Sequence, residues 1–176
     1  MNQELINKTV LEIVGDKIRP QKNMTLFAAQ HLAKKVRAKA KEMGVNAVVA
    51  ITDRGANPIL VECSDHSFIA SYDIALNKAF TVVSLKMSTK ELSKLAKPDG
   101  SLYGIQFTNG GRIVIFGGGE PLLDKNGEII GAEAQDTGHL GRHLLGIENH
   151  IVLDGLVERK GDERIHILQP AHHLLV

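Results

Sequence analysis

The amino-acid sequence predicts an α+β protein in which helices flank an antiparallel sheet, on three observations. Its segments follow the order helix, hairpin, helices, hairpin; its apolar positions switch from a helical period to short runs bounded by tight turns; and no parallel strand–helix–strand unit occurs. With 176 residues, 43% hydrophobic and 23% charged, the chain suits one hydrophobic core with extensions.

Taken in order, residues 2–18 place Leu5, Ile6, Val10, Ile13 and Val14 on one side of a short helix, with Glu4, Lys8, Glu12 and Asp16 away from it. Pro20 and its polar neighbours break that helix, so residues 1–22 read as an extension on a tether. A helix this short gains stability by docking, either on a partner or across its own domain or a neighbouring subunit. Residues 24–43 repeat apolar side chains at Leu26, Ala29, Leu32, Ala33, Val36, Ala40 and Met43 opposite lysines and Arg37, and Gly44 stops the helix.

Residues 46–63 form a β-hairpin around the turn formers at 53–57. Helical period returns over 67–86, with Ser67 as N-cap, and again over 88–96, where Ser88 and Glu91 have capping-box spacing. The consecutive apolar residues at 111–116 predict a strand covered on both faces, and 128–132 its antiparallel partner across the Asn126-Gly127 turn. Beyond Ala132 a histidine-rich segment reads as a broken helix, and 151–168 as a charged hairpin.

Composition excludes some functions. Lys+Arg total 21 against Asp+Glu 20, and aromatic residues are 4%, so neither a basic field nor a set of stacking rings exists for nucleic acid. No apolar run approaches the ~20 residues of a membrane span. The single cysteine, Cys63, and the lack of a basic-then-apolar N-terminal order lead to an expectation of a cytoplasmic protein with no membrane partner.

Four motifs, DRGxN at 53–57, SxDIALNKA at 71–79, SLYGIQ at 101–106 and RIVIFGGG at 112–119, together resemble the GlcG/HbpS family, which includes the C-terminal domain of PduO-type corrinoid adenosyltransferases. The likeness runs over about residues 23–132. It implies a five-stranded antiparallel sheet flanked by helices in a profilin-like α-β sandwich, homo-oligomers, and binding of haem, or alternatively a corrinoid, without catalysis. Two features depart from the family pattern. After the strand ending in Ala132 the usual small-residue turn is replaced by Glu133-Ala134-Gln135-Asp136-Thr137, which implies a shortened closing strand; and residues 1–22 and 133–176 have no counterpart. Residues 2–18 also resemble the peptides that carry cargo to the shell proteins of bacterial microcompartments. That places the chain inside such a compartment for diol or glycerol metabolism.

Candidate site residues follow. Asp73 and Asn77 share a helix face one turn apart, with Lys78 beside them, and either hold a ligand or tie the helix to the glycine-rich turn. Gly117, Gly118 and Gly119 either bring bare backbone against a ligand, with N–H groups open to a carboxylate, or make a bulge at the sheet edge. They are not a P-loop, since no Gly-Lys-Ser/Thr follows. His31, beside Leu32 on the first main helix, is the first candidate for a haem iron ligand and His66 the second. Asp136, His139 and His143 have the spacing of three donors on one helical face, against which stands a solvated polar face. Cys63 has no base paired with it in the sequence. Set against the binding reading are an enzyme or enzyme accessory for a small hydroxy or diol metabolite, using Asp73, Asn77 and Lys78, and a structural cargo module.

Overall fold

The structure is a computed structural model that describes residues 23–138 and 151–152. Helix α1 (Leu26–Glu42) starts where the Thr25 side chain accepts a hydrogen bond from the Ala28 N–H. Strands β1 (Val48–Asp53) and β2 (Pro58–Cys63) make the first hairpin. Asp53 fixes its turn, since one carboxylate oxygen accepts from the N–H groups of Gly55 and Asn57 at 2.8 Å each.

Helix α2 (Ile69–Leu85) follows, then α3 (Thr89–Leu95), which carries the full capping box between Ser88 and Glu91. The N-cap of α2 is Phe68, without a side-chain hydrogen bond, not Ser67. The Ser67 hydroxyl turns back instead and donates to the Ser64 carbonyl at 2.8 Å.

The second hairpin differs from expectation in its first strand. Residues 113–118 are an irregular connection, and β3 is Gly119–Leu123, beginning at the last glycine of the run. The apolar side chains of Ile113 and Ile115 are used differently, packing with Leu92, Ala96 and Phe80 beneath α2 and α3. The Val114 N–H donates to Thr81 Oγ1 at 3.0 Å rather than to a neighbouring strand. The partner strand β4 (Ile129–Asp136) pairs with β3 across the expected Asn126-Gly127 turn. It is not shortened: its eight residues also pair with the whole of β1, from Val48 opposite Asp136 to Asp53 opposite Gly131.

The sheet order is β2-β1-β4-β3-β5. The first four strands are antiparallel throughout, whereas β5 (Ile151–Val152) is two residues long and runs parallel to β3. The antiparallel sheet is therefore built from four strands, with a short parallel fifth at the edge. The expectations for residues 1–22, for the histidine-rich helix beyond Gly138 and for most of the 151–168 hairpin lie outside the described residues.

Alternation along β1 decides which helix covers which face. Val49 and Ile51 join Leu122 and Ile130 in a cluster with Ala29, Leu32, Ala33 and Val36 of α1. Val48 and Ala50 pack on Ala75 of α2, while Ala132 and Ala134 pack on Ala79 and Val82. The helices thus cover opposite faces of the sheet, and each fully buried Val, Leu or Ile contributes about 1.5–3 kcal/mol.

Candidate functional site

On the α2 face the sequence brings together three of its candidates. Lys78 is only 3% exposed, and its ammonium donates to Asp136 Oδ1 at 2.9 Å and to the Gln135 carbonyl at 3.0 Å. Asp136 also accepts from the Ser71 hydroxyl at 2.6 Å and from the Gly138 N–H at 3.1 Å. The Phe116 ring lies 4.7 Å from the same ammonium. Burial pulls the Lys78 pKa down, with the hydrogen bond and charge of Asp136 partly opposing it. Burial alone would raise the Asp136 carboxyl, but the bonds from Ser71 and Lys78 and the lysine's charge outweigh it and hold that group below the ordinary aspartate range.

The triple-glycine bend sits directly against this lysine. Gly118 has φ +114°, and a Cβ there would lie 2.8 Å from the Gln135 carbonyl and 2.9 Å from Lys78 Nζ. At Gly119 a Cβ would meet Val82 and Thr89 methyls at 3.0 and 3.1 Å. The Gly118 carbonyl accepts from Gln135 N–H at 2.8 Å, and the Gly119 N–H donates to Thr89 Oγ1 at 2.9 Å. Close approach is therefore what the glycines provide, and the neighbour they admit is the protein's own lysine. The chemistry of this cluster is that of a fastening between α2 and the end of β4.

Asp73 and Asn77 lie on the outer side of α2, joined by a 3.0 Å hydrogen bond from Asn77 Nδ2, as their spacing suggests. Arg112 Nε donates to Asn77 Oδ1 at 3.4 Å, and its guanidinium stacks 3.7 Å from the centre of the Phe80 ring.

His31 is across the sheet from all of these, on α1. Its Nδ1 is 2.9 Å from the Phe27 carbonyl, and its ring lies 4.3 Å from the Phe27 ring. A carbonyl only accepts, so Nδ1 carries the proton and the Nε2 lone pair of the neutral ring is free. His66 is exposed in the β2–α2 connection with φ +64°. Asp136 is a strand residue engaged by Lys78 and Ser71, so it does not belong to a helical donor face; His139 and His143 lie outside the described residues. Among the described residues no group of three or more His, Cys, Asp or Glu is gathered to hold a metal ion, and no helix is long and apolar enough to cross a membrane. Cys63 is an exposed free thiol at the end of β2.

One buried acid escaped the sequence reading. Glu133, fully buried, stands directly between Ile51 on β1 and Glu120 on β3, and neither of its carboxylate oxygens has a hydrogen-bond partner. Burial and the Glu120 charge, against the favourable charge of Lys78, push its carboxyl up to about 8. The signal lay in period-two alternation of Ala132, Glu133, Ala134 and Gln135, which reads as a strand once β4 is continued past Ala132.

The comparisons with known proteins agree with this architecture. A 15.0 kDa protein of Citrobacter freundii from the dhaT-dhaS intergenic region is 47% identical over 109 residues, which cover 62% of this chain and 76% of that protein. The corrinoid adenosyltransferase PduO of the same organism is 28% identical over 112 residues, 64% of this chain and only 33% of PduO. A crystal structure of a PduOC:haem complex superposes with a TM-score of 0.63 at 28% identity, covering 66% of this chain and 84% of that one. The family described as "Haem degrading protein HbpS-like" matches residues 24–133, well over half of the sequence, and the chain belongs to that HbpS-like family.

Proposed function

We propose that this protein binds haem without catalysing a reaction, with His31 as the iron ligand. The observation that carries the reading is the anchored imidazole: Nδ1–H is committed to the Phe27 carbonyl, which orients the ring and leaves Nε2 as the donor. Beside it Phe27, its ring 4.3 Å away, is 58% exposed and offers an apolar surface on which a porphyrin plane can lie. The donor set therefore fits haem, and the PduOC:haem complex supplies the precedent within the fold. Bound haem would supply an iron centre open to ligand exchange; the protein's part is to orient the imidazole and to cover one porphyrin face. Lys78 and Gly117–Gly119 serve this reading as the frame of the opposite face, since the lysine's hydrogen bonds are directed at Asp136 and Gln135. That engagement also counts against an enzymatic role for Lys78 with Asp73 and Asn77.

Titration with haemin tests the proposal. The expected result is a shifted Soret band with one haem per chain, lost in His31→Ala and retained in His66→Ala. An unchanged spectrum in His31→Ala overturns the assignment of the ligand. A corrinoid is the second reading, favoured by the similarity to PduO, and cobalamin in the same titration decides between them. We place the chain inside a bacterial microcompartment, docked on a shell protein through residues 2–18. Fusing residues 1–20 to a fluorescent protein should bring it to the shell, and diffuse fluorescence argues against that placement.

A further inference from the structure

Among the described residues, β4 carries three buried oxygen acceptors without a donor: both carboxylate oxygens of Glu133, which is 0% exposed, and Oε1 of Gln135, which is 4% exposed. They share one face of the sheet. Ile51 and Val49, their partners on β1, both lie in the cluster beneath α1, and residues two apart on a strand point the same way. Glu120, directly across from Glu133 on β3, is on that face as well and only half-buried, so the group opens outward on its side. Opposed residues of an antiparallel pair stand about 5 Å apart, and like charges there repel. Lys78 lends a favourable charge through the sheet, but its hydrogen bonds go to Asp136 and the Gln135 carbonyl. A buried acceptor without a donor costs free energy, and three adjoining ones call for a common partner.

We propose that this face binds a hard divalent cation, of the Mg²⁺, Mn²⁺ or Ca²⁺ class, between the carboxylates of Glu120 and Glu133, with the Gln135 amide oxygen as a third ligand. Every ligand is an oxygen, the donor such ions prefer, and two carboxylates match a double positive charge. The set holds no thiol or imidazole, the donors that select zinc or copper. The ion takes the place of the proton that Glu133 otherwise retains, and turns the repulsion between two acids into a shared attraction. The remaining coordination positions are left to water, which reaches the ion from the Glu120 side. Two carboxylates and one amide oxygen make the site, so it is compatible with the lack of any gathering of three or more acids, thiols or imidazoles among the described residues. The inference does not rest on the haem reading, whose histidine is not among these ligands.

Titration of the full chain with Mn²⁺, free of haem and of chelatable metal, tests it by electron paramagnetic resonance, because bound Mn²⁺ loses the sharp signal of the free ion. The expected result is one Mn²⁺ per chain, displaced by excess Mg²⁺ or Ca²⁺. Glu133→Gln, which keeps the size and removes the charge, and Glu120→Gln should each raise the dissociation constant about tenfold or more, and Gln135→Leu should raise it by a smaller factor. Asp65→Asn, at an exposed acid in the β2–α2 connection, should leave it unchanged. An undiminished signal means that a proton alone neutralises Glu133 and overturns the proposal. Binding that survives Glu133→Gln belongs to another part of the chain and overturns it equally. Should Glu133→Gln fail to fold, as circular dichroism would show, Glu120→Gln at the half-buried edge decides by the same criterion: Mn²⁺ should raise the melting temperature of the wild type and not that of the variant, and an equal rise in both overturns the site.

Discussion

Helices α1 and α2 are equal in length, 17 residues each, and cover opposite faces of one sheet, yet they are finished in different ways. The inner side of α1 is Ala, Leu and Val, and its outer side carries Lys34, Lys35, Lys39 and Lys41, so water completes it. In α2 Asp73 stays outside but Lys78 is turned inward: it is buried and its counter-charge comes from the far end of β4. A charge on the outside of a helix costs little and contributes little, whereas one inside must be matched atom by atom. The outer side of α1 is accordingly tolerant, and the seating of α2 is specified by a few polar contacts and two glycines.

Four measurements sharpen that contrast. The largest effect is expected for Lys78→Met, which keeps the volume but leaves Asp136 as an uncompensated buried charge; chemical denaturation should show a loss of about 3–5 kcal/mol. A loss under 1 kcal/mol would mean that the pair does not fasten α2. Next is the pH dependence that Glu133 sets between about pH 4.5 and 8. Its folded pKa of about 8 lies above the ordinary 4.5, so the folded state retains a proton that the unfolded chain has released. Stability from this group is fully present below about pH 4.5 and declines by roughly 1 kcal/mol per pH unit until pH passes the folded value. Asp136, held low, has the opposite sign, and its contribution is lost as pH falls below the ordinary aspartate range. Stability should therefore be greatest in mildly acidic solution, and Glu133→Gln should flatten the decline on the alkaline side; an equally steep decline in that variant would exclude Glu133 as its source.

Smaller is the effect of Gly118→Ala. Positive φ and a Cβ 2.8 Å from a carbonyl predict a cost of more than about 1 kcal/mol, visible as a lowered melting temperature. The smallest is Lys35→Ala on the outer side of α1, expected within about 0.5 kcal/mol of wild type. A large effect there would make the α1 surface as specified as the α2 one and remove the contrast.

What could be read in the sequence follows the same division. Helix α1, the first hairpin, the Ser88 capping box and the Asn126-Gly127 turn are local patterns, and each appears where its residues predict. That Asp73 and Asn77 share a helix face was equally legible from helical spacing, but not that this face is the outer one. Non-local choices were not. The apolar run at 111–116 satisfies a strand or a buried connection equally well, and only the presence of Leu92, Ala96 and Phe80 beneath it decides. Glu133, Gln135 and Asp136 read as the end of a strand because polar and charged residues are rarely fully buried, and the structure buries all three. Lys78 was picked out by its motif, but its inward direction depends on Asp136, 58 residues along the chain.

That separation matters while the protein is being made. As the chain leaves the ribosome α2 emerges first, with an ammonium that has nowhere dry to go. Until Asp136 has been synthesised the helix cannot settle on the sheet without stranding a cation, so docking of α2 waits for the last residue of β4.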